Sequence, residues 1–237
     1  MLHERFQQVD KAQLARRFGA AARHYDAHAR FQQEVGQALL DLMPDRPVGS
    51  ELTVCGLDLD TALYRRGLPD SLPDGLPETG LDLGCGTGFF LSALAGRCQQ
   101  LHGLDLAPGM LAQAALRGSG ARLVCGDAEV LPFADQSLDW VFSSLALQWC
   151  ERPAQAFAEI HRVLKPGGVF MSFTPAFPHG PAFRDPTHVN IITEETFPLY
   201  FDDKVRWASM YGFRGSFQIL SQEWRGVHLM SLLRKTA

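Results

Sequence analysis

The stretch Leu81-Asp82-Leu83-Gly84-Cys85-Gly86-Thr87-Gly88 decides the fold of this chain. A short apolar run ends in three glycines at alternating positions, and helical periodicity follows at 88–97. Glycine allows a sharp turn after a strand and lets a ligand approach the backbone without meeting a Cβ atom. The stretch therefore predicts a strand, a ligand-binding turn and a helix, in that order.

Downstream of this stretch, short apolar segments alternate with helical patterns. The alternation predicts an α/β fold, a Rossmann-like doubly wound sheet of about seven strands, mostly parallel. The last two apolar segments, 216–222 and 227–234, predict an antiparallel C-terminal edge. The predicted strands are 80–84, 100–105, 121–125, 138–144 and 168–173, and the predicted helices are 88–97, 108–117 and 151–163.

Upstream of the stretch, the chain changes character near residue 44. Residues 10–43 have apolar positions at helical spacing after a plausible N-cap, Asp10, and predict helices. Prolines and glycines then alternate up to residue 79, which indicates an irregular insertion. We therefore expect an N-terminal helical cap at 1–44, an insertion at 45–79 and the α/β domain at 80–237, within a single globular unit.

An acidic residue lies at the end of each of three consecutive predicted strands. These ends meet at the carboxyl edge of the sheet, where open α/β sheets bind ligands. Asp82 precedes the glycines, where it would repel a phosphate but could receive the ammonium of an amino-acid ligand. Asp105, 21 positions after Gly84, could accept hydrogen bonds from both hydroxyls of a ribose. Asp127 could accept from an adenine amino group, with the Ala128 N–H nearby.

A dinucleotide site is the alternative interpretation of the glycine turn. The N-terminus of the following helix would then hold a pyrophosphate. The spacing Gly84-x-Gly86-x-Gly88 differs from the Gly-x-Gly-x-x-Gly of such sites, and Asp82 disfavours phosphate. A binding protein that keeps the cofactor site without turnover is a further alternative.

The ordered set of glycines and acids resembles the class I S-adenosylmethionine-dependent methyltransferases. Leu131-Pro132-Phe133, Asp139-Trp140-Val141 and Leu164-Lys165-Pro166-Gly167-Gly168 are similar to later motifs of that family. The resemblance implies S-adenosyl-L-methionine as methyl donor, S-adenosyl-L-homocysteine as product, and a class I methyltransferase domain at 80–237. Met110 resembles the apolar wall under the adenine, and it equally fits a core methionine. The implied cofactor-binding residues are Asp82, Gly84, Cys85, Gly86, Gly88, Asp105, Leu106, Met110, Asp127 and Ala128.

Two segments are similar to the malonyl-acyl-carrier-protein O-methyltransferases of biotin synthesis. They are residues 18–29, around His24-Tyr25-Asp26, and Leu145-Ala146-Leu147-Gln148-Trp149-Cys150. With the core motifs, the resemblance covers roughly residues 10–44 and 79–173. It implies O-methylation of the free carboxylate of a malonyl thioester. It also implies that Tyr25 contributes to the pocket and that Gln148 and Trp149 line the passage to the methyl group.

The segment 183–197 departs from that family and resembles other class I methyltransferases, so a different small-molecule acceptor is the alternative. Arg184 is a candidate clamp for a substrate carboxylate, because arginine binds carboxylates through two hydrogen bonds. A surface arginine paired with Asp185 is the plainer interpretation. His188 is a candidate base for a hydroxyl acceptor, or simply a histidine that is hydrogen-bonded in a loop.

Composition limits the partners. The chain has 237 residues, 46% of them hydrophobic, and a formal net charge of −4, which argues against nucleic acid. Its apolar runs are too short for a membrane span, and its polar start gives no signal peptide. Five scattered cysteines without metal-type spacing indicate free thiols in the cytoplasm. We expect a small-molecule or acyl-carrier-protein-bound acceptor, no nucleic acid or membrane partner, no metal, and a monomer or weak homo-oligomer.

The last 34 residues, 204–237, contain six Lys or Arg against one Glu. Such a basic stretch can steer an acidic partner, as a carrier protein would be. Ordinary solubility is the plainer interpretation. The basic positions in this stretch are Lys204, Arg206, Arg214, Arg225, Arg234 and Lys235.

Overall fold

The structure is a computed structural model of the chain. Much of the predicted helix beyond residue 28 and most of the predicted insertion lie outside the residues that it describes. The domain boundaries proposed above therefore stay predictions. The described residues are 10–29, 33, 37, 40, 77–184, 188, 190–202, 204, 207–211 and 213–236.

Strands supply the frame of the described region, and each of the seven predicted strands is present with small shifts at its ends. β5 is longer than predicted because it starts at the Lys-Pro-Gly-Gly turn, where the register with β4 is irregular. The strands are β1 Thr79–Leu83, β2 Gln100–Asp105, β3 Arg122–Cys125, β4 Leu138–Ser144, β5 Leu164–Phe177, β6 Ile192–Thr193, β7 Phe217–Arg225 and β8 His228–Lys235.

Helices fill the intervals between strands. The second is shorter than the predicted 88–97, because Gly88 has a φ of +77° and the preceding residues form turns. The helices are α1 Lys11–His28, α2 Leu91–Ala95, α3 Pro108–Leu116, α4 Pro153–Val163 and α5 Pro181–Arg184, with 3₁₀ turns at Leu147–Trp149 and Trp207–Tyr211 and a π-helical turn at Thr196–Phe201. Within the described part of the chain, no helix has the length and apolarity that a membrane span requires.

The sheet has the order β3-β2-β1-β4-β5-β8-β7, and β6 pairs with β5 beside this path. Strands β1 to β5 are mutually parallel, while β8 runs antiparallel to both β5 and β7. The chain leaves β1 towards β2 and β3 and then returns to β4 on the other side of β1. This is the switch point at which doubly wound sheets open a ligand crevice. The predicted fold class is confirmed.

Apolar side chains pack against both faces of the central strands, which explains why these strands are continuous apolar runs in the sequence. On one face, Phe157 of α4 packs with Phe170 and Phe197 in a large buried cluster. On the other face, Leu91 of α2 belongs to a second cluster with Phe142. The two clusters hold the sheet rigid beneath its carboxyl edge.

Helix α1 lies against α3, across the carboxyl edge of the sheet. The Asp10 side chain caps α1 by accepting from the Gln13 N–H at 2.8 Å, as predicted. The two helix backbones approach closely where glycines meet, since a Cβ on Gly109 would lie 2.6 Å from the Gly19 Cα. Apart from this contact, α1 packs through a small apolar cluster that includes Ala22 and is separate from the two main ones.

Candidate functional site

A cleft opens at the carboxyl ends of β1, β2 and β3, and α1 covers it. The cleft brings together most of the residues that the sequence singled out, from five separate parts of the chain. Gly88 and Gln148 are not among its lining residues. The lining residues that were predicted are Tyr25, Asp82, Gly84, Cys85, Gly86, Asp105, Leu106, Met110, Asp127, Ala128 and Trp149.

The glycine turn after β1 contains three glycines, all with positive φ, and they are needed for two different reasons. A Cβ on Gly84 would lie 2.4 Å from the Ala146 Cβ, and one on Gly88 would lie 2.8 Å from the Ala114 Cβ, so both positions serve packing. A Cβ on Gly86 would meet nothing within 4 Å. Gly86 alone of the three therefore leaves open backbone facing the cleft.

Asp105, at the end of β2, is held by the glycine turn. Its two carboxylate oxygens accept from the Gly86 N–H at 2.9 Å and the Ala107 N–H at 2.8 Å. Burial raises the pKa of Asp105 above its ordinary value, and these two N–H groups partly offset the effect. The turn and the second acid thus form one preorganised unit.

Asp82 is the unusual group of the site. Its side chain lies in the middle of the sheet at 2% exposure, and its Oδ2 has no hydrogen-bond partner among the described residues. Burial, helped by the charge of Asp105, raises the pKa of Asp82 to about 8. A buried carboxyl oxygen without a partner is rare and unfavourable. An ammonium group in the cleft would satisfy it.

Asp127, after β3, belongs to a charge network that the sequence did not reveal. Lys11, the first residue of α1, places its Nζ 2.6 Å from Asp127 Oδ2 and 2.8 Å from Glu129 Oε2. Glu129 is fully buried and also accepts from the Arg152 backbone N–H and Nε, both at 3.0 Å. Lys11 and Asp127 are 116 positions apart, so no local pattern could relate them.

The pKa shifts in this network keep its charges in place. Burial lowers the pKa of Lys11, but the hydrogen bonds to Asp127 and Glu129 outweigh it and the pKa is raised. Burial raises the pKa of Glu129, and the bonds from Lys11 and Arg152 outweigh that effect in turn, so its pKa is lowered. Each shift favours the charged form, so the contact stabilises the ammonium of Lys11 and the carboxylate of Glu129.

Aromatic rings from α1 and from the turn after β4 line part of the cleft. Phe18 of α1 packs edge-on against Tyr25, at 6.4 Å between ring centroids, and against Trp149, at 5.1 Å. Trp149 in turn contacts the ring of His188 at 5.0 Å. The rings form a continuous wall from α1 to the C-terminal part of the chain. Burial, with the charges of Asp105 and Asp26, raises the pKa of Tyr25.

The acceptor-side predictions have mixed outcomes. Gln148 is buried, and its Nε2 donates to the Leu145 carbonyl at 2.8 Å, so this side chain shapes the turn rather than the cleft. His188 contacts Trp149 but is not among the cleft-lining residues, and its role as a base stays a prediction. The side chain of Arg184 lies outside the described residues, and the predicted clamp stays a prediction.

Two residues that tie the site together were missed. The Asn190 Nδ2 donates to the carbonyls of Leu147 and Cys150, both at 2.9 Å. It thereby fastens residues 190–202, here called the C-terminal segment, to the turn that carries Trp149. Asp26 of α1 accepts from the Thr87 Oγ1 at 2.6 Å in the glycine turn. A single asparagine or aspartate in a helix or loop gives no sequence signal for such a role.

The basic stretch 204–237 presents less positive charge to a partner than its sequence indicates. Lys235 is buried and donates to the Leu164 carbonyl at 2.7 Å, and Arg225 pairs with Glu223 at 3.0 Å. Neither of these residues presents a free positive charge to a partner. The expected steering patch therefore loses two of its six members.

Residues 81–172 match the sequence profile of a family described as a methyltransferase domain. The fold is similar to that of a methyltransferase chain solved in complex with the Trm112 methyltransferase activator of Haloferax volcanii. The TM-score is 0.65 and the identity 18%, over 93% of this chain and 98% of that one. The profile match covers the core of the chain, and the sheet order is that of the class I methyltransferase fold.

Within that class, the chain is similar to curated proteins of biotin synthesis. It is 43% identical over 161 residues to the biotin biosynthesis bifunctional protein BioHC of Cellvibrio japonicus (strain Ueda107), covering 68% of this chain and 26% of that protein. It is 36% identical over 166 residues to the malonyl-[acyl-carrier protein] O-methyltransferase of Serratia marcescens, covering 70% of this chain and 54% of that one. The chain thus spans about half or less of the length of these relatives.

Proposed function

We propose that this chain transfers a methyl group from S-adenosylmethionine to the free carboxylate of a malonyl thioester on an acyl carrier protein. One observation supports the methyl donor above others: Asp82, Asp105 and Asp127 converge on a single cleft beside an open glycine backbone. The acceptor is supported by the likeness to malonyl-[acyl-carrier protein] O-methyltransferases.

The donor fits the residues present. The partnerless Asp82 oxygen would receive the amino-acid ammonium, and the open backbone at Gly86 would let the methionine part approach. Asp105, fixed by two N–H groups, would accept from the ribose hydroxyls. Asp127 would accept from the adenine amino group, with buried Met110 beneath the ring. Leu106, Cys85 and Ala128 would complete the walls.

Positioning is the chain's main contribution to the reaction. S-adenosylmethionine supplies an electrophilic methyl group on a sulfonium sulfur, and a carboxylate acceptor is already a nucleophile at neutral pH. The wall formed by Phe18, Tyr25 and Trp149 would exclude water and align the acceptor with the methyl group. His188, against Trp149, would stand on the acceptor side.

Covalent catalysis through the cleft's buried thiols is disfavoured. Burial raises the pKa of Cys150 to about 12 and that of Cys85 further still. Both are therefore thiols rather than thiolates at neutral pH, and the thiolate is the nucleophilic form.

The described cysteines are free, which supports a cytoplasmic location.

A different small-molecule acceptor is the second candidate. It is favoured by the place of His188, whose ring lies against Trp149 at the acceptor side of the wall and could take a proton from a hydroxyl. The substitution His188→Ala separates the two. Methylation of a carboxylate should survive it in large part, whereas methylation of a hydroxyl should fall by about 100-fold or more.

The direct test is transfer from methyl-labelled S-adenosylmethionine to malonyl-acyl carrier protein. The expected result is a labelled ester that alkali releases as labelled methanol. Acetyl-acyl carrier protein, which lacks the free carboxylate, is the matched control and should take no label. No labelled ester, together with labelling of a free hydroxyl compound, would contradict the proposed acceptor and leave the donor site standing.

A further inference from the structure

We propose that Lys11 is a positioning residue of the cofactor site, which orients Asp127 towards adenine and makes the docking of α1 part of adenine recognition. This inference rests on the proposed function, since it assigns adenine to Asp127. The inference goes beyond the proposed function by giving Lys11 a role in ligand selectivity.

The geometry supplies the first argument. The Nζ of Lys11 bridges Asp127 Oδ2 at 2.6 Å and Glu129 Oε2 at 2.8 Å. The other oxygen of Asp127, Oδ1, accepts from the Glu129 N–H at 2.9 Å. Both oxygens are thus fixed, and because a carboxylate oxygen has two lone pairs, each keeps one for a ligand amino group.

Charge supplies the second argument. Glu129 is fully buried and lies two residues from Asp127, so two carboxylates share one small region. Arg152 neutralises Glu129 from one side, but its side chain is 65% exposed. Lys11 is the cation that touches both carboxylates. Without it, Glu129 would repel the Asp127 carboxylate, which is 29% exposed and free to turn towards solvent.

The far end of α1 supplies the third argument. Asp26 accepts from Thr87 in the glycine turn and pairs with Arg117, whose Nε donates to the Thr87 carbonyl at 2.8 Å. Both ends of α1 are therefore bonded to segments that line the cleft. Since the apolar cluster beneath α1 is small, these polar contacts are a large share of what holds the helix in place.

The test compares two ligands that differ only at the purine 6-position. S-adenosylhomocysteine has an amino group there, and its 6-deamino analogue has a hydrogen atom, which cannot donate to Asp127. The wild-type chain should prefer the adenosyl ligand in a calorimetric titration. Lys11→Met should reduce that preference about tenfold or more, because a misaligned charged hydrogen bond is lost. Lys11→Arg should restore most of it.

The control is Arg16→Met, on the same helix. The Arg16 side chain is 71% exposed, lies 4.0 Å from Asp10 and does not line the cleft, so its loss should leave both affinities unchanged. In an Asp127→Asn background, Lys11→Met should change the preference little further, since the two residues act together.

Equal weakening of both ligands by Lys11→Met would overturn the inference, because Lys11 would then only support α1. An undiminished effect of Lys11→Met in the Asp127→Asn background would overturn it as well. A wild-type chain that binds neither ligand would instead contradict the proposed cofactor site. Circular dichroism and thermal unfolding show whether each variant is folded. If Lys11→Met does not fold, the comparison of Lys11→Arg with the wild-type chain still tests the inference.

Discussion

Asp82 shows how a single residue identifies the ligand of a site. An acid inside an otherwise apolar strand has no packing benefit, and its buried Oδ2 lacks a partner among the described residues. Burial and the nearby charge of Asp105 raise its pKa to about 8, so at pH 7 the carboxyl of the free protein is mostly protonated. An ammonium beside it would favour the ionised form.

Binding should therefore release a proton. At pH 7, titration of S-adenosylhomocysteine in buffers of different ionisation enthalpy should show release of nearly one proton, and Asp82→Asn should show almost none. The same pKa shift makes stability depend on pH. Because the folded pKa lies above the ordinary value of 3.8, stability of the free protein is lost as pH rises from about 4 to about 8. Asp82→Asn should remove that loss, and equal proton release by both proteins would contradict this account.

The glycine turn offers a second residue-scale prediction. Gly86 and Gly118 both have positive φ, +53° and +63°, and both have nothing within 4 Å of an added Cβ. Alanine at either position should therefore cost a similar ~1–2 kcal/mol of folding stability. Only Gly86 lines the cleft, so only Gly86→Ala should weaken cofactor binding, by about tenfold or more.

Chemical denaturation and calorimetry on the two variants measure both quantities. Gly118→Ala is the matched control for backbone strain. A loss of affinity in Gly118→Ala as large as in Gly86→Ala would show that strain, and not ligand approach, explains the effect.

At the scale of elements, the strands and the helices between them could be predicted because each carries its own periodicity. β1 and its glycine turn are local signals, and so are the acids at the ends of β2 and β3. The elements after β5 were missed in part, because α5 has four residues and β6 has two, and both depend on contacts with β5. The role of α1 could be suspected only from resemblance, since Lys11 finds its carboxylates across 116 positions.

The contact between the C-terminal segment and the 3₁₀ turn gives the element-scale prediction. Asn190→Asp keeps the shape of the side chain but cannot donate to the carbonyls of Leu147 and Cys150. The turn that carries Trp149 should loosen, and kcat/KM for the acceptor should fall about tenfold, while affinity for S-adenosylhomocysteine should change little. Trp149 should also become more accessible to a fluorescence quencher.

The control uses a similar bond elsewhere in the same segment. The Gln222 Nε2 donates to the Glu194 carbonyl at 2.6 Å at an exposed site. Gln222→Glu should leave the kinetics near wild type. If kcat/KM for the acceptor is as high in Asn190→Asp as in Gln222→Glu, the C-terminal segment does not position Trp149.

At the scale of the whole molecule, the reversal of strand order between β1 and β4 creates the cleft, and the two apolar clusters keep it rigid. Two histidines, the half-buried His161 and the buried His228, add a pH limit to this core. Burial, and then the charge of Lys235, lowers the pKa of His161 to about 4. Burial, and then His179, lowers that of His228 to about 4. Both are neutral in the folded protein.

Stability should therefore fall as pH drops from about 6.5, where histidine in the unfolded chain takes up a proton, towards 4. In thermal unfolding scans, His161→Gln should lose less stability over this window than the wild-type chain does. His24→Gln, at an exposed position on α1, should follow the wild-type curve. A pH dependence of stability in His161→Gln that equals the wild-type one would contradict the assignment of a neutral imidazole at His161.

A crystal structure of the chain with S-adenosylhomocysteine tests the central claim most directly. The ammonium should lie within hydrogen-bonding distance of Asp82, the ribose hydroxyls on Asp105 and the adenine amino group on Asp127, with α1 closed above them. A ligand bound elsewhere, or one whose amino-acid end lies away from Asp82, would contradict the claim.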